Sequence, residues 1–354
     1  MSHRGRSRTW RSEPPPTTAA WGSERTETSA ELPSGATRRV TDLLDRRLVF
    51  VTGKGGVGKT TIAAALALLA AHRGKRTLVC EVDDKGNLAD FFETGRTAFR
   101  PREIQPGLWA MSMDTEESLR EYLNLNLRVP LMGRIGPLAR AFEFVATAAP
   151  GVKEILTVGK LCYEVRENHY DLVVVDASPT GHIVGQLAAP HAINELVQVG
   201  LVRQQTGWML DILSDPATTG LCIVATPEEM PVNETIELAG RVEHETSVDL
   251  AAIIVNRVLP ELFGRGEEEV FENLSEPDSV EAMSKSVGGE VEPIMAAARL
   301  AVTMRRTRAQ HLERLRSGVD ASVPMLYVPY LFARSHGLRS TRQLVDALGA
   351  ELGY

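Results

Sequence analysis

The sequence predicts an α/β protein: a mostly parallel, doubly wound sheet with an inserted helical subdomain. Three observations carry this prediction. Short apolar, β-branched runs alternate with helix-length segments along most of the chain. A glycine-rich turn joins the first such run to an Ala/Leu-rich helix, and a later apolar run ends in an acid. The 354 residues carry 39 Lys plus Arg against 46 Asp plus Glu, a formal charge of −7, with 43% hydrophobic and 5% aromatic residues. This composition excludes collagenous, disordered and disulfide-scaffold classes, and its mild acidity gives no reason to expect nucleic-acid binding.

The elements follow in order. Residues 1–44 are rich in Arg, Ser, Thr, Pro and Glu and lack hydrophobic periodicity. They are expected to form a disordered tail, because they offer too little apolar surface to offset the entropy of ordering. They also lack the apolar core of a secretory signal. Residues 47–52 form the first buried strand, and residues 60–71 form a helix that ends at the Arg73-Gly74 pair. Further strands are expected at 77–83, 108–113, 170–176, 221–226, 250–255 and 324–328. The gap between Asp114 and Tyr170 is too long for a simple crossover, so helical insertions are placed near 115–168 and 262–318. Residues 45–354 thus read as one domain. Cys80, Cys162 and Cys222 are widely separated and form no CxxC pair, so they read as buried thiols.

The turn Gly53-Lys54-Gly55-Gly56-Val57-Gly58-Lys59-Thr60 fits G-x-x-x-x-G-K-[ST] between a strand and a helix, the setting a phosphate-binding loop requires. Glycines let backbone N–H groups turn toward phosphate oxygens, and the helix N-terminus adds its positive dipole end. Lys59 is expected to neutralise β and γ oxygens, the Thr60 hydroxyl to ligate Mg²⁺, and Thr61 to complete the loop's nucleotide contacts. Asp83 follows an apolar run, where it either carries chemistry at the carboxyl end of a strand or caps a helix. Asp176 ends the run Leu172-Val173-Val174-Val175 as a Walker B acid does, and is expected to hold Mg²⁺ through water.

The Gly-Lys-Gly-Gly form of the loop resembles the deviant Walker A of SIMIBI-class ATPases. That resemblance implies a nucleotide-sandwich dimer in which Lys54 reaches the partner's nucleotide. Two later segments narrow the likeness to ArsA-type ATPases, which include arsenite-transport ATPases and guided-entry factors that target tail-anchored proteins. The segment Glu81-Val82-Asp83 through Asn87 to Asp90 resembles the family's switch I, usually close to S-T-D-P-A-x-N-L-x-D-x-F. Asp84-Lys85 stands where Pro-Ala is usual. The resemblance implies that Asp83 polarises the attacking water and that Asn87 and Asp90 belong to the switch. Asp176 to Pro179-Thr180-Gly181-His182 resembles the D-x-x-P-T-G-H of switch II. Gly181 is then expected to let the loop move toward a γ-phosphate, while His182 either supports the active switch or caps the next helix. Val224-Ala225-Thr226-Pro227-Glu228, Ile254-Val255-Asn256-Arg257-Val258 and Tyr327-Val328-Pro329-Tyr330 resemble three later family motifs, so Asn256 is implied at the adenine edge and Pro329 and Tyr330 over the base.

The resulting expectation is a Mg²⁺-dependent, cytoplasmic ATPase that hydrolyses ATP. It would act as a homodimer, or as a heterodimer with a related subunit, coupled to a partner or hydrophobic client, peripheral to a membrane only through such a partner. Two other readings stand beside it: a nucleotide-controlled assembly subunit with little turnover, and a metalloid-efflux pump ATPase. The second of these would need the three cysteines to converge.

Overall fold

The computed structural model describes residues 40–83, 87–127, 151–197, 199–261, 263–264, 266–331 and 338–354. They belong to a compact unit spanning Arg38–Tyr354. Eight strands make one sheet: β1 (Leu48–Gly53), β2 (Thr77–Glu81), β3 (Arg102–Gln105), β4 (Leu108–Ser112), β5 (Leu172–Asp176), β6 (Thr219–Ala225), β7 (Leu250–Val258) and β8 (Met325–Pro329). Their order is β3-β4-β2-β5-β1-β6-β7-β8. All neighbours run parallel except β3, which lies antiparallel on β4. The expected α/β architecture is therefore present.

The apolar runs are continuous because both faces of the sheet are covered. Side chains alternate between two cores. Val49, Val51, Val79, Val174 and Ile254 face α1 (Lys59–His72), with Leu344, Val345 and Leu348 of the last helix, Leu338–Glu351, in the same cluster. Leu48, Phe50, Cys80, Val173, Val175 and Ile253 face the opposite core. That core takes apolar residues from Val152–Arg166, Thr180–Leu196, Leu201–Ser214 and Glu229–Glu245. In chain order these helices follow α2 (Asn87–Phe91) and α3 (Thr115–Leu127), and are α4, α5, α6 and α7. Every residue from Ile62 to Ala70 is buried, so α1 is apolar all round, as a helix packed on both sides must be.

Three helices, α8 (Glu267–Leu274), α9 (Pro277–Val287) and α10 (Glu292–Gly318), precede β8. They share a small core of Phe271, Val280, Met295 and Val302, while Leu315 of α10 joins the main core. The Leu338–Glu351 helix is α11.

One sequence expectation changes. Residues 40–44 were assigned to the disordered tail; instead they lie in a 3₁₀ helix, Val40–Asp45, that buries Leu43 and Leu44. Two adjacent leucines suffice to tie that turn to the core. Residues 1–39, and with them the remainder of the tail assignment, lie outside the described residues. The first proposed insertion is helical at α3 and α4, and its central part, 128–150, also lies outside them. Among the described residues, no helix is long and apolar enough to cross a membrane.

Candidate nucleotide site

From β1 the chain runs to β2 on one side, and from β5 it runs to β6 on the other, so β1 and β5 flank a switch point of the sheet. Open α/β sheets bind ligands at such crevices, outside the carboxyl ends of the strands. A cavity of about 300 Å³ lies there, lined by Gly55, Gly56, Gly58, Lys59, Thr60, Thr61, Glu81, Asp83, Phe91, Asp176, Ala177 and Pro179.

Backbone geometry explains the glycines at two positions. A Cβ on Gly53 would stand 2.2 Å from the Val224 carbonyl oxygen of β6, so the loop leaves the sheet where no side chain fits. Gly58, at φ 97°, precedes the first turn of α1, and a Cβ there would meet the Asn256 amide at 2.5 Å. Around Gly55 and Gly56 the space is open, leaving a cradle of backbone.

The acid on β5 meets the hydroxyl on α1. Thr60 Oγ1 donates to Asp176 Oδ2 at 2.6 Å, while Asp176 Oδ1 is buried without a hydrogen-bond partner. Burial raises the Asp176 carboxyl to about 6; the Thr60 bond and Lys59 oppose that rise, and the charges of Glu81 and Asp83 add to it. Glu81, only 1% exposed, sits directly across the β2–β5 ladder from Asp176. A hydroxyl, an orphaned carboxylate oxygen and a phosphate cradle fit Mg²⁺, which takes one or two side chains and fills its octahedron with phosphate oxygens and water. Thr60 and Asp176 are the residues that could hold it. Asp83 accepts a hydrogen bond from Ser178 Oγ at 3.2 Å, and Thr52 Oγ1 donates to the Ser178 carbonyl at 2.8 Å. The segment after β5 is thereby tied to both neighbouring strands.

The remaining expected residues distribute unevenly. Lys59, Thr60, Thr61, Asp83, Asp176 and Pro179 share the cavity. Lys54 instead pairs with Glu234 of α7, whose other oxygen accepts from Thr180 Oγ1 at 3.4 Å. Val57 is buried beneath the loop. Asn256, implied at the adenine edge, lies against the loop: its Nδ2 donates to the Val57 carbonyl at 2.8 Å and its Oδ1 accepts from the Arg257 N–H at 2.9 Å. Pro329 and Tyr330 lie at the end of β8, where the Tyr330 N–H donates to the Val258 carbonyl, and neither lines the cavity. Asp90 is exposed on α2, which begins at Asn87, and Asp84 and Lys85 lie outside the described residues. The His182 N–H closes a turn onto the Pro179 carbonyl, while its imidazole is exposed. Gly181 has open space where a Cβ would go, so this conformation does not demand glycine there.

Sequence reasoning missed Glu81, Phe91 and Glu234 as site residues. Glu81 was detectable as an acid inside an apolar strand; Glu234 had no local signal. The cysteines are buried, and burial raises each thiol, Cys222 to about 12. Cys222 belongs to one core and Cys80 and Cys162 to the other, with the sheet between them. Among the described residues, no cluster of three or more His, Cys, Asp or Glu could hold a metal ion.

Fold and site together define a P-loop nucleoside triphosphatase. A sequence model of the anion-transporting ATPase family matches residues 46–210 and 201–273. The chain is 31% identical over 297 residues to ATPase BagA of Mycobacterium tuberculosis, covering 80% of this chain and 87% of that one. It is 28% identical to putative arsenical pump-driving ATPase 2 of Aquifex aeolicus, over 61% of this chain and 81% of the relative. An ATPase ASNA1 homolog of Entamoeba dispar is 27% identical over 60% of this chain and 76% of its own length. The chain belongs to the ArsA, or anion-transporting, ATPase family and is an ATP hydrolase.

Proposed function

We propose that the chain hydrolyses ATP with Mg²⁺ and that hydrolysis opens and closes a dimer coupled to a client or partner. The observation that carries this reading is the Thr60–Asp176 hydrogen bond at the mouth of the glycine cradle, with Asp176 Oδ1 left over beside it. The bound cation would neutralise phosphate charge and lower the cost of the charge that develops on the leaving oxygens.

In this reading the backbone of Gly53, Gly55, Gly56, Val57 and Gly58 cradles the phosphates, and Lys59 neutralises them. Asp83, fixed by Ser178, orients the attacking water and draws on its proton. Asn87, Asp90, Pro179, Thr180, Gly181 and His182 form the moving switches, of which Pro179 already borders the cavity. Asn256 supports the loop from below, and Pro329 and Tyr330 belong to the base side. Lys54 acts across the interface on the nucleotide of a second copy, a related subunit being the other pairing the resemblance allows. The unit begins near residue 45 and carries its helical insertions near 115–168 and 262–318.

Exposed Val270, Leu274, Val287, Ile294, Leu300 and Met304 on α8, α9 and α10 support coupling to a partner or hydrophobic client. The separation of the cysteines by the sheet weighs against a three-thiolate metalloid site. Phosphate release from purified wild type, Lys59→Ala and Asp83→Asn tests the reading. Wild type is expected to release phosphate in a Mg²⁺-dependent way and both variants to fall by about 10²-fold or more; equal background rates in all three would overturn it.

A further inference from the structure

β1 pairs with β6, Gly53 opposite Val224, so the loop leaving β1 emerges beside the chain that begins α7. Lys54 is the first residue after β1, and Glu234 lies in the second turn of α7. Their side chains form an ion pair, 29% and 31% exposed. The other carboxylate oxygen takes the hydroxyl of Thr180, the first residue of α5, from the far side of β1. One carboxylate thus touches the phosphate-binding loop and the switch that follows β5, while standing on a third element. The loop's two lysines also diverge: Lys59 borders the cavity, whereas Lys54 is turned away from it onto Glu234.

The pair is only part-buried and open to water on one side, so solvent screens it and a polyphosphate, with several times the charge of one carboxylate, can displace it. We propose that Glu234 is a positioning residue, a counter-ion that holds Lys54 off the nucleotide until a phosphate chain competes for it. When Lys54 leaves for a phosphate chain, its own or that of the paired copy, Glu234 keeps only its contact with Thr180. Occupancy of the loop is thereby reported to the first turn of the switch helix. This rests on the nucleotide-site reading above and adds to it a residue outside the family motifs quoted for this sequence.

Equilibrium binding of a fluorescent, non-hydrolysable ATP analogue with Mg²⁺ tests it in four proteins: wild type, Glu234→Gln, Lys54→Ala and the double variant. Glutamine keeps the size of the side chain and an acceptor for Thr180, and the partial exposure of Glu234 leaves folding intact, which circular dichroism checks. Glu234→Gln is expected to bind the analogue about two- to fivefold more tightly than wild type, the range a solvent-screened ion pair commands. In the Lys54→Ala background the same substitution is expected to change nothing. Unchanged or weaker binding by Glu234→Gln, or a gain that persists without Lys54, would overturn the assignment and leave the nucleotide site standing. A wild type that binds no analogue would instead remove the nucleotide-site reading itself.

Discussion

At the scale of single residues, Asp176 shows a site maintained against folding stability. Burial raises its carboxyl to about 6, well above the ordinary 3.8, so the charged form is disfavoured in the folded chain. A raised folded-state value contributes stability that is complete below about pH 4 and lost as pH rises through about 6. At neutral pH the ionised group therefore destabilises the nucleotide-free protein. Asp176→Asn should raise its stability at pH 7.5 by on the order of 1–3 kcal/mol and give less at pH 5, read by urea unfolding without nucleotide. The same variant should lose the Mg²⁺-dependent part of nucleotide binding. An unchanged or lowered midpoint at pH 7.5 would mean that the burial of this charge is offset elsewhere. Lys59, Thr60 and Asp176 were legible in the sequence because motif spacing fixes them locally. Glu81 was visible only as an acid inside an apolar strand, because its place across from Asp176 arises from the β2–β5 register.

At the scale of elements, close backbone approach positions the loop. Gly53 leaves β1 at φ 148° with the Val224 carbonyl where a Cβ would stand, so Gly53→Ala cannot be absorbed by a side-chain rotation. It should cost about 2 kcal/mol or more and weaken nucleotide binding beyond that loss, measured by thermal unfolding and analogue titration. At the opposite end of the sheet, buried Arg46 donates to the Thr219 carbonyl at 2.7 Å and to Asp249 at 2.8 Å, joining the start of β6 to that of β7. Arg46→Ala removes a buried guanidinium that bonds the Thr219 carbonyl and the Asp249 carboxylate, and should cost about 2–4 kcal/mol while leaving the nucleotide affinity of the folded fraction unchanged. The seven parallel strands were legible as apolar runs, since burial on both faces erases alternation. β3 escaped notice because it is a four-residue edge strand, Arg-Glu-Ile-Gln, with exposed charged positions. The motif located Asn256, but its contact with the loop, the amide donating to the Val57 carbonyl, is set by the approach of β7 to the loop and could not be read from the motif.

At the scale of the whole molecule, a sheet covered on both faces presents its strand ends as the place for chemistry, and the loops of β1, β2 and β5 converge there. The second strand-end cavity, about 490 Å³ beside Asp249 and Asp320, lies at the amino ends of β6 and β7 and takes no part in the account. Lys54 is paired with Glu234 in this chain, and the proposed function has it act on the nucleotide of a second copy, where charge develops in phosphoryl transfer. Mixing two inactive variants tests that action most directly. Lys59→Ala loses its own nucleotide but keeps Lys54, whereas Lys54→Ala keeps a complete phosphate loop but has no cation to give. Each alone should be nearly silent in phosphate release. An equimolar mixture should recover about a quarter of wild-type activity, because half the dimers are mixed and each mixed dimer holds one complete site. A mixture as silent as its parts would contradict action of Lys54 on the nucleotide of a second copy.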